Sequence, residues 1–249
     1  MADSAENPAS SNDAVMAAAR AGEYDRYLAA LLAPPPARDE LLALAAFASE
    51  LGRVPAMARE PMMAEIRLQW WRDALEQPVA IRTGHPVADA VRNVVARHEG
   101  SQHALLGMIE ACSREIAAEP IPDDTALRAH LWMSEGAQFA VAADILGMPA
   151  NANSEPVAAA AGTAYGLARL VAGFARSLAQ GRCLLPQTRL DAAGLTLEAL
   201  RAGEGGAQAA AVLADLSADA RAGLATARQH VANLPRDMRI AFLPLALVE

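Results

Sequence analysis

Between Pro61 and Leu75 the apolar residues Met63, Ile66, Leu68, Trp70, Trp71 and Leu75 alternate with Arg67, Arg72 and Asp73. Ile66, Trp70 and Trp71 fall with Ala74 on one helical face, which predicts an amphipathic helix opened by Pro61. The same reading, punctuated by proline and glycine, divides the rest of the chain into helices. Asp13 caps a helix to about Ala21, Gly22 interrupts it, and Glu23–Leu32 continues. Pro34, Pro35 and Pro36 force a break before a helix over about Ala37–Gly52. Pro78–Gly84 connects to a helix from Pro86 to about Arg97, and Ser101 caps one over about Gln102–Glu119. Asp123 caps a long helix, about Asp124–Leu146, closed by Gly147 and Pro149. Ser154 caps a small-residue helix that runs to about Gln180, breaks at Gly181 and leaves through Cys183-Leu184-Leu185-Pro186. A short helix near Leu197–Ala202, a long one over about Ala209–Asn233 with a cap at Ser217, and a last one from near Pro235 complete the series.

Composition agrees with helix. Hydrophobic residues make up 53% of the 249, much of the excess being alanine, while aromatics are only 4% and Val/Ile runs are scarce. The expectation is one all-α domain over residues 13–249 behind a disordered, Ser/Asn/Ala/Pro-rich tail over 1–12. A net charge of −8 gives nucleic-acid binding no electrostatic support. All 21 basic side chains are arginine, so Schiff-base chemistry and a P-loop lysine are excluded. Cys112 and Cys183 read as buried, reduced thiols. No run of 18 apolar residues predicts a transmembrane helix, and the acidic, polar start is no signal peptide. A cytoplasmic location, with room for contact at a membrane surface, is the expectation.

Common catalytic patterns do not stand out. The histidines His85, His98, His103, His130 and His230 read as structural or surface residues. Asp215 and Asp219 have one-turn spacing but read as caps, Glu115 and Glu119 as a solvated face, and Asp123-Asp124 as a helix start favoured by the dipole. No Gly-x-Ser-x-Gly elbow is present for a serine nucleophile.

The frame Gly162, Ala164, Gly181, Arg182, Leu185 and Pro186 resembles the squalene/phytoene synthase family, in which a G-x-A…N-x-x-R-D-x-x-x-D helix leads into G-R-x-Y-L-P. Tyr27-Leu28, Arg38, Ala46–Leu51 and Arg67-Leu68-Gln69-Trp70-Trp71-Arg72 extend the resemblance over roughly Tyr24–Glu249, with weaker support from Ser134-Glu135-Gly136 to Ile145-Leu146-Gly147. It implies an isoprenoid (terpenoid) synthase-like helical bundle around a central cavity. Since the last helix reaches Glu249 without a cap, the family pattern is expected to continue past this chain.

Active members place two aspartate motifs across the cavity, because two pairs of carboxylates one turn apart make an oxygen cage for Mg²⁺ and the leaving diphosphate. In this sequence those positions fall on Gly52 and Ala56 in the first motif and on Gly173 and Ser177 in the second. The second aspartate of the first motif falls on Arg53 and the asparagine of the second on Arg169. The sequence is thus most similar to the branch of the phytoene-synthase-type complex I assembly factor, which lacks the aspartates. The resemblance implies a non-catalytic assembly or lipid/isoprenoid-binding factor, peripheral to the inner membrane, with respiratory-complex partners and no cofactor. The alternative is a Mg²⁺-dependent prenyltransferase joining two prenyl diphosphates head to head. Glu50, Arg53, Tyr165, Arg169 and Arg176 form the candidate anion pocket, for an anionic lipid or prenyl phosphate, since guanidinium binds phosphate oxygens bidentately. The competing expectation is that these arginines pair with Glu50, Glu135 or Asp144.

Overall fold

The computed structural model describes residues 8–57, 60–148 and 154–248. Among them there is no strand, and the chain folds as a helical bundle. Its helices are α1 (Pro8–Gly22), α2 (Tyr24–Leu31), α3 (Ala37–Met57), α4 (Pro61–Glu76), α5 (Pro86–Arg97) and α6 (Ser101–Ile116). They are followed by α7 (Asp124–Leu131), a π-helical turn (Trp132–Gly136), α8 (Ala137–Ile145) and α9 (Glu155–Ala179). Then come α10 (Gln187–Ala192), α11 (Leu197–Arg201), α12 (Gly206–Ala232) and a 3₁₀ segment (Met238–Leu247).

The architecture has two hubs. Helix α3 packs against α1, α2, α4, α5, α6 and α8, and its Leu44, Phe47 and Leu51 are buried. Phe47 meets Trp71 of α4 edge-to-face, with ring centroids 5.2 Å apart, so Trp71 is core. Helix α9 forms the second hub against α12, the π turn, α7, α8 and the 3₁₀ segment. Of the helices carrying Phe47, Trp70 and Phe139, it packs closely on one. That one is α8, where Phe139 and Tyr165 meet edge-to-face at 5.6 Å. Small residues make this hub possible. A Cβ on Gly162 would stand 2.5 Å from both the Cα and the N of Gly136, so α9 touches the π turn backbone to backbone. On another side of α9, Ala164 lies against Gly223 of α12. Helix α9 is long and apolar enough to cross a membrane, yet its first half is buried among these neighbours, as in the core of a bundle.

Several expected boundaries shift. Residues 8–12 are helical rather than tail, and residues 1–7 lie outside the described part. Helix α3 continues through Pro55 to Met57. Ser101 is inside α6, whose cap position is held by Gly100, and its Oγ donates to His98 O (2.7 Å) instead of accepting. The expected helix from Asp124 to Leu146 is interrupted by the π turn. Gly147 ends it with φ +86°, and Pro149 lies outside the described residues. Ser217 and Asp215 are mid-helix residues of α12, not caps, and Ser217 Oγ donates to Leu213 O. Asp123 does cap α7, accepting from Ala126 N at 2.8 Å, and Thr196 caps α11.

Candidate functional site

A cavity of about 720 Å³ lies between the C-terminal half of α3, helices α6 and α7, the π turn and the second half of α9. Ala48, Leu51, Met108, Ala111, Leu131 and Leu170 supply its apolar wall. Its size is within the usual range for sites that enclose small organic ligands.

One polar wall is a four-member ion network drawn from three elements and a helix break. The chain breaks between α1 and α2 at Glu23, whose carboxylate is only 4% exposed. Arg26 of α2 donates from Nε to Glu23 (3.2 Å) and from Nη2 to Glu135 of the π turn (2.8 Å). Arg169 of α9 donates from Nη1 to both Glu23 oxygens, at 2.8 and 2.9 Å, and lies 3.6 Å from Glu135. Burial pushes the Glu23 carboxyl above its ordinary value, against the pull of Arg169 and Arg26. The negative charge of Glu135, foremost, raises Arg169 further. Each carboxylate is paired with two guanidiniums, which is the condition for burying Glu23. Tyr165 backs this wall. Its hydroxyl donates to Asp25, and its ring takes the guanidiniums of Arg26 and Arg169 at 4.9 and 5.6 Å.

A second cluster stands where α6 ends. Glu115 accepts from Arg182 (2.9 Å), and its other oxygen is 3.1 Å from His130 Nε2 of α7. Glu115 is therefore a partnered wall residue, not part of a solvated face, and His130 is buried. His98 is likewise engaged, between Glu40 (2.7 Å) and Asp144 (3.2 Å), away from the cavity.

The five candidate residues do not make one pocket. Arg169 and Arg176 line the cavity, whereas Tyr165 is buried behind the ion network. Glu50 and Arg53 turn to a different side of α3. Arg53, 55% exposed, pairs with Glu50 at 3.2 Å, and Glu50 also meets Arg67 of α4 at 3.7 Å. The pairing expected of the arginines with Glu50 and Glu135 thus holds for Arg53 and Arg169. The Arg176 side chain has no ion pair or hydrogen bond among the described residues. Sequence reading missed Glu23 as the main partner of Arg169, and also Arg26, Glu115 and Arg182 as wall residues. Arg182 carried a signal, since it belongs to the Gly181-Arg182…Leu185-Pro186 frame.

The sequence pattern of squalene/phytoene synthase matches residues 19–249. The chain belongs to the squalene/phytoene synthase family. Among curated relatives, the NADH dehydrogenase (ubiquinone) complex I assembly factor 6 of Rattus norvegicus is 23% identical over 231 residues, 92% of this chain and 69% of that protein. The protein of the same name from Homo sapiens is 29% identical over 110 residues, 44% of this chain and 31% of that one. Among solved structures, the squalene synthase HpnC from Alicyclobacillus acidocaldarius superposes with a TM-score of 0.79 at 20% identity, covering 96% of this chain and 90% of its own. A dehydrosqualene synthase superposes with a TM-score of 0.72 at 15% identity, covering 95% and 84%. The fold is therefore the all-α isoprenoid synthase fold.

Membership of the squalene/phytoene synthase family raises the question of Mg²⁺, and the donor set answers against a cage. Gly52, Gly173 and Ser177, where the resemblance places metal-binding aspartates, all line the cavity, and Ala56 lies in the last turn of α3. None offers a carboxylate. The carboxylates that do line the cavity, Glu23, Glu115 and Glu135, each accept from an arginine or lie within ion-pair distance of one. The described residues contain no group of three or more acidic, His or Cys side chains placed to hold a metal ion. A hard dication needs several oxygen ligands, which these residues do not fit.

Proposed function

We propose that this chain is a non-catalytic member of the family, an assembly or lipid/isoprenoid-binding factor that works without a metal cofactor. One observation carries the reading. The cavity of the fold is retained while its wall at Gly52, Gly173 and Ser177 lacks carboxylates, and the acids that remain are taken up by arginines. Diphosphate departure draws its driving force from cation stabilisation of the leaving oxygens, and a wall without ligands for that cation withholds it. The Rattus norvegicus relative named complex I assembly factor 6, matched over 92% of the chain, supports a role with respiratory-complex assembly partners. With it goes a cytoplasmic location peripheral to the inner membrane, where an anionic lipid or prenyl phosphate would be at hand.

The retained volume favours a second reading, a Mg²⁺-dependent prenyltransferase joining two prenyl diphosphates head to head. The two separate on incubation of the purified protein with farnesyl or geranylgeranyl diphosphate and Mg²⁺, followed by product analysis. The first reading expects unchanged substrate; a condensed hydrocarbon product would overturn it.

A further inference from the structure

We infer that the cavity takes a long-chain amphiphile with one small anionic head, without a metal, and that Arg176 receives the head. This deepens the binding reading above and rests on it. What decides it is which charged side chains around one cavity already have partners. The acids lining it are Glu23, Glu115 and Glu135, and the arginines lining it are Arg169, Arg176 and Arg182. Glu23 and Glu135 are paired with Arg169 and with Arg26 behind the wall, where Asp25 also acts on Arg26. Glu115 is neutralised by Arg182. Arg176 is left over, a wall residue whose guanidinium has no carboxylate or hydrogen-bond partner among the described residues.

Arg176 stands on the last turns of α9, one residue before Ser177 and three after Gly173, beside the positions the resemblance gives to metal-binding aspartates. Its exposed position leaves it hydrated, so it tolerates lacking a partner and keeps its donors free for an incoming anion. From there the apolar wall of Leu51, Met108, Leu131 and Leu170 offers a chain somewhere to lie. The Glu23–Arg26–Glu135–Arg169 network bounds the cavity as a wall whose charged groups already pair with one another. One free cation suits a carboxylate or a phosphate monoester. A diphosphate would bring more negative charge than the wall can meet without a metal.

The test is binding in EDTA, read as a melting-temperature shift and by calorimetry, with oleate, farnesyl phosphate, farnesyl diphosphate and farnesol as probes. Binding of oleate or farnesyl phosphate is expected, with the better of the two naming the head chemistry, and little from farnesol. Arg176→Glu should weaken that binding at least about tenfold, and Arg176→Lys should retain part of it. Because Arg176 is exposed and unpaired, Arg176→Lys should melt as the parent does when no probe is present, and Arg176→Glu slightly lower, since it puts an acid in the last turn of α9. Absence of binding by both anions in EDTA, equal binding to Arg176→Glu, or binding that appears only with Mg²⁺ would each overturn the inference. A condensed product in the synthase assay sinks the non-catalytic reading instead, so the two failures are separable.

Discussion

A single guanidinium nitrogen of Arg169, Nη1, reaches both carboxylate oxygens of Glu23, at 2.8 and 2.9 Å, across 146 residues of chain. The contact ties the break between α1 and α2 to the middle of α9, at the position where the family resemblance expects asparagine. Glu23 is buried and Arg169 is 45% exposed, so the acid depends on the base more than the reverse.

Arg169→Ala should therefore destabilise the protein, by leaving Glu23 with Arg26 as its only remaining cation. Breaking a fully buried pair costs about 3–5 kcal/mol; a loss near or below the low end of that range is expected, because Arg26 remains and Arg169 is partly hydrated. The pH dependence has a definite sign. Glu23 already has a raised folded-state value, so its contribution to stability falls as pH rises from its ordinary 4.5 through that value. Without Arg169 the value rises further, and the penalty should be larger at pH 7 than at pH 5. Urea denaturation of both proteins at the two pH values checks this. A penalty that does not shrink on acidification would show that Glu23 is not the group responsible.

The helical series was legible because proline and glycine mark most of its ends, as at Pro61, Pro86, Gly147 and Gly181. Misplaced boundaries came from tertiary packing or from alanine. The π turn exists where Gly136 meets Gly162, a contact between positions 26 apart that no local pattern encodes. Ser217 and Asp215 look like caps by residue type, but alanine on both sides carries α12 through them. The candidate site was legible in position more than in pairing. Arg169 was found by its place in the frame and Arg176 by lying two turns beyond it, yet Glu23 sits at a helix break with nothing nearby to announce a partner on α9. The assignment of Glu50 and Arg53 to the same pocket failed because they point from another face of α3.

Glu40 gives a second, opposite pH signature. Burial raises its carboxyl, but bonds from Arg97 and His98 outweigh burial and hold it below its ordinary 4.5. A carboxylate with a depressed folded value adds stability above its unfolded value and loses it as pH falls through the folded one. The acid limb of the melting curve, below about pH 4.5, should thus be shallower in Glu40→Gln than in the parent. The variant should also melt lower at pH 7, since it no longer bonds both Arg97 and His98 as an anion. Calorimetric melts between pH 3 and pH 7 read both effects; parallel acid limbs would remove Glu40 as their source.

Glycines of α9 should respond according to what faces them. Gly162→Ala would put a methyl 2.5 Å from the backbone of Gly136, where nothing flexible can give way. A cost of about 3 kcal/mol or more is expected, with the π turn pushed off α9. Gly173→Ala meets only Ser177 Oγ at 4.0 Å, so it should stabilise by about 0.5–1 kcal/mol through helix propensity. Chemical denaturation of the pair distinguishes close packing from a general intolerance of substitution. Equal costs at both sites would contradict the close contact between α9 and the π turn.

Cys112 reports on the cavity itself. It lines the cavity from α6, and its Sγ donates to Leu51 O of α3 at 3.6 Å. Burial first, with the nearby charge of Glu115, pushes the thiol up to about 12. The thiolate is the reactive species, so at pH 8 only about one thiol in ten thousand is ionised in the folded protein. Alkylation by iodoacetamide should therefore be slower than for a free thiol by a factor on the order of 10³, with Cys183, also raised by burial, protected to a smaller degree. Neutralising the adjacent acid as Glu115→Gln removes one cause of the shift and should speed modification of Cys112 more than that of Cys183. Peptide mass spectrometry after timed labelling resolves the two sites. Rapid labelling of Cys112 in the parent protein would mean that the α3–α6 wall opens readily, and the cavity could then not be treated as a preformed site.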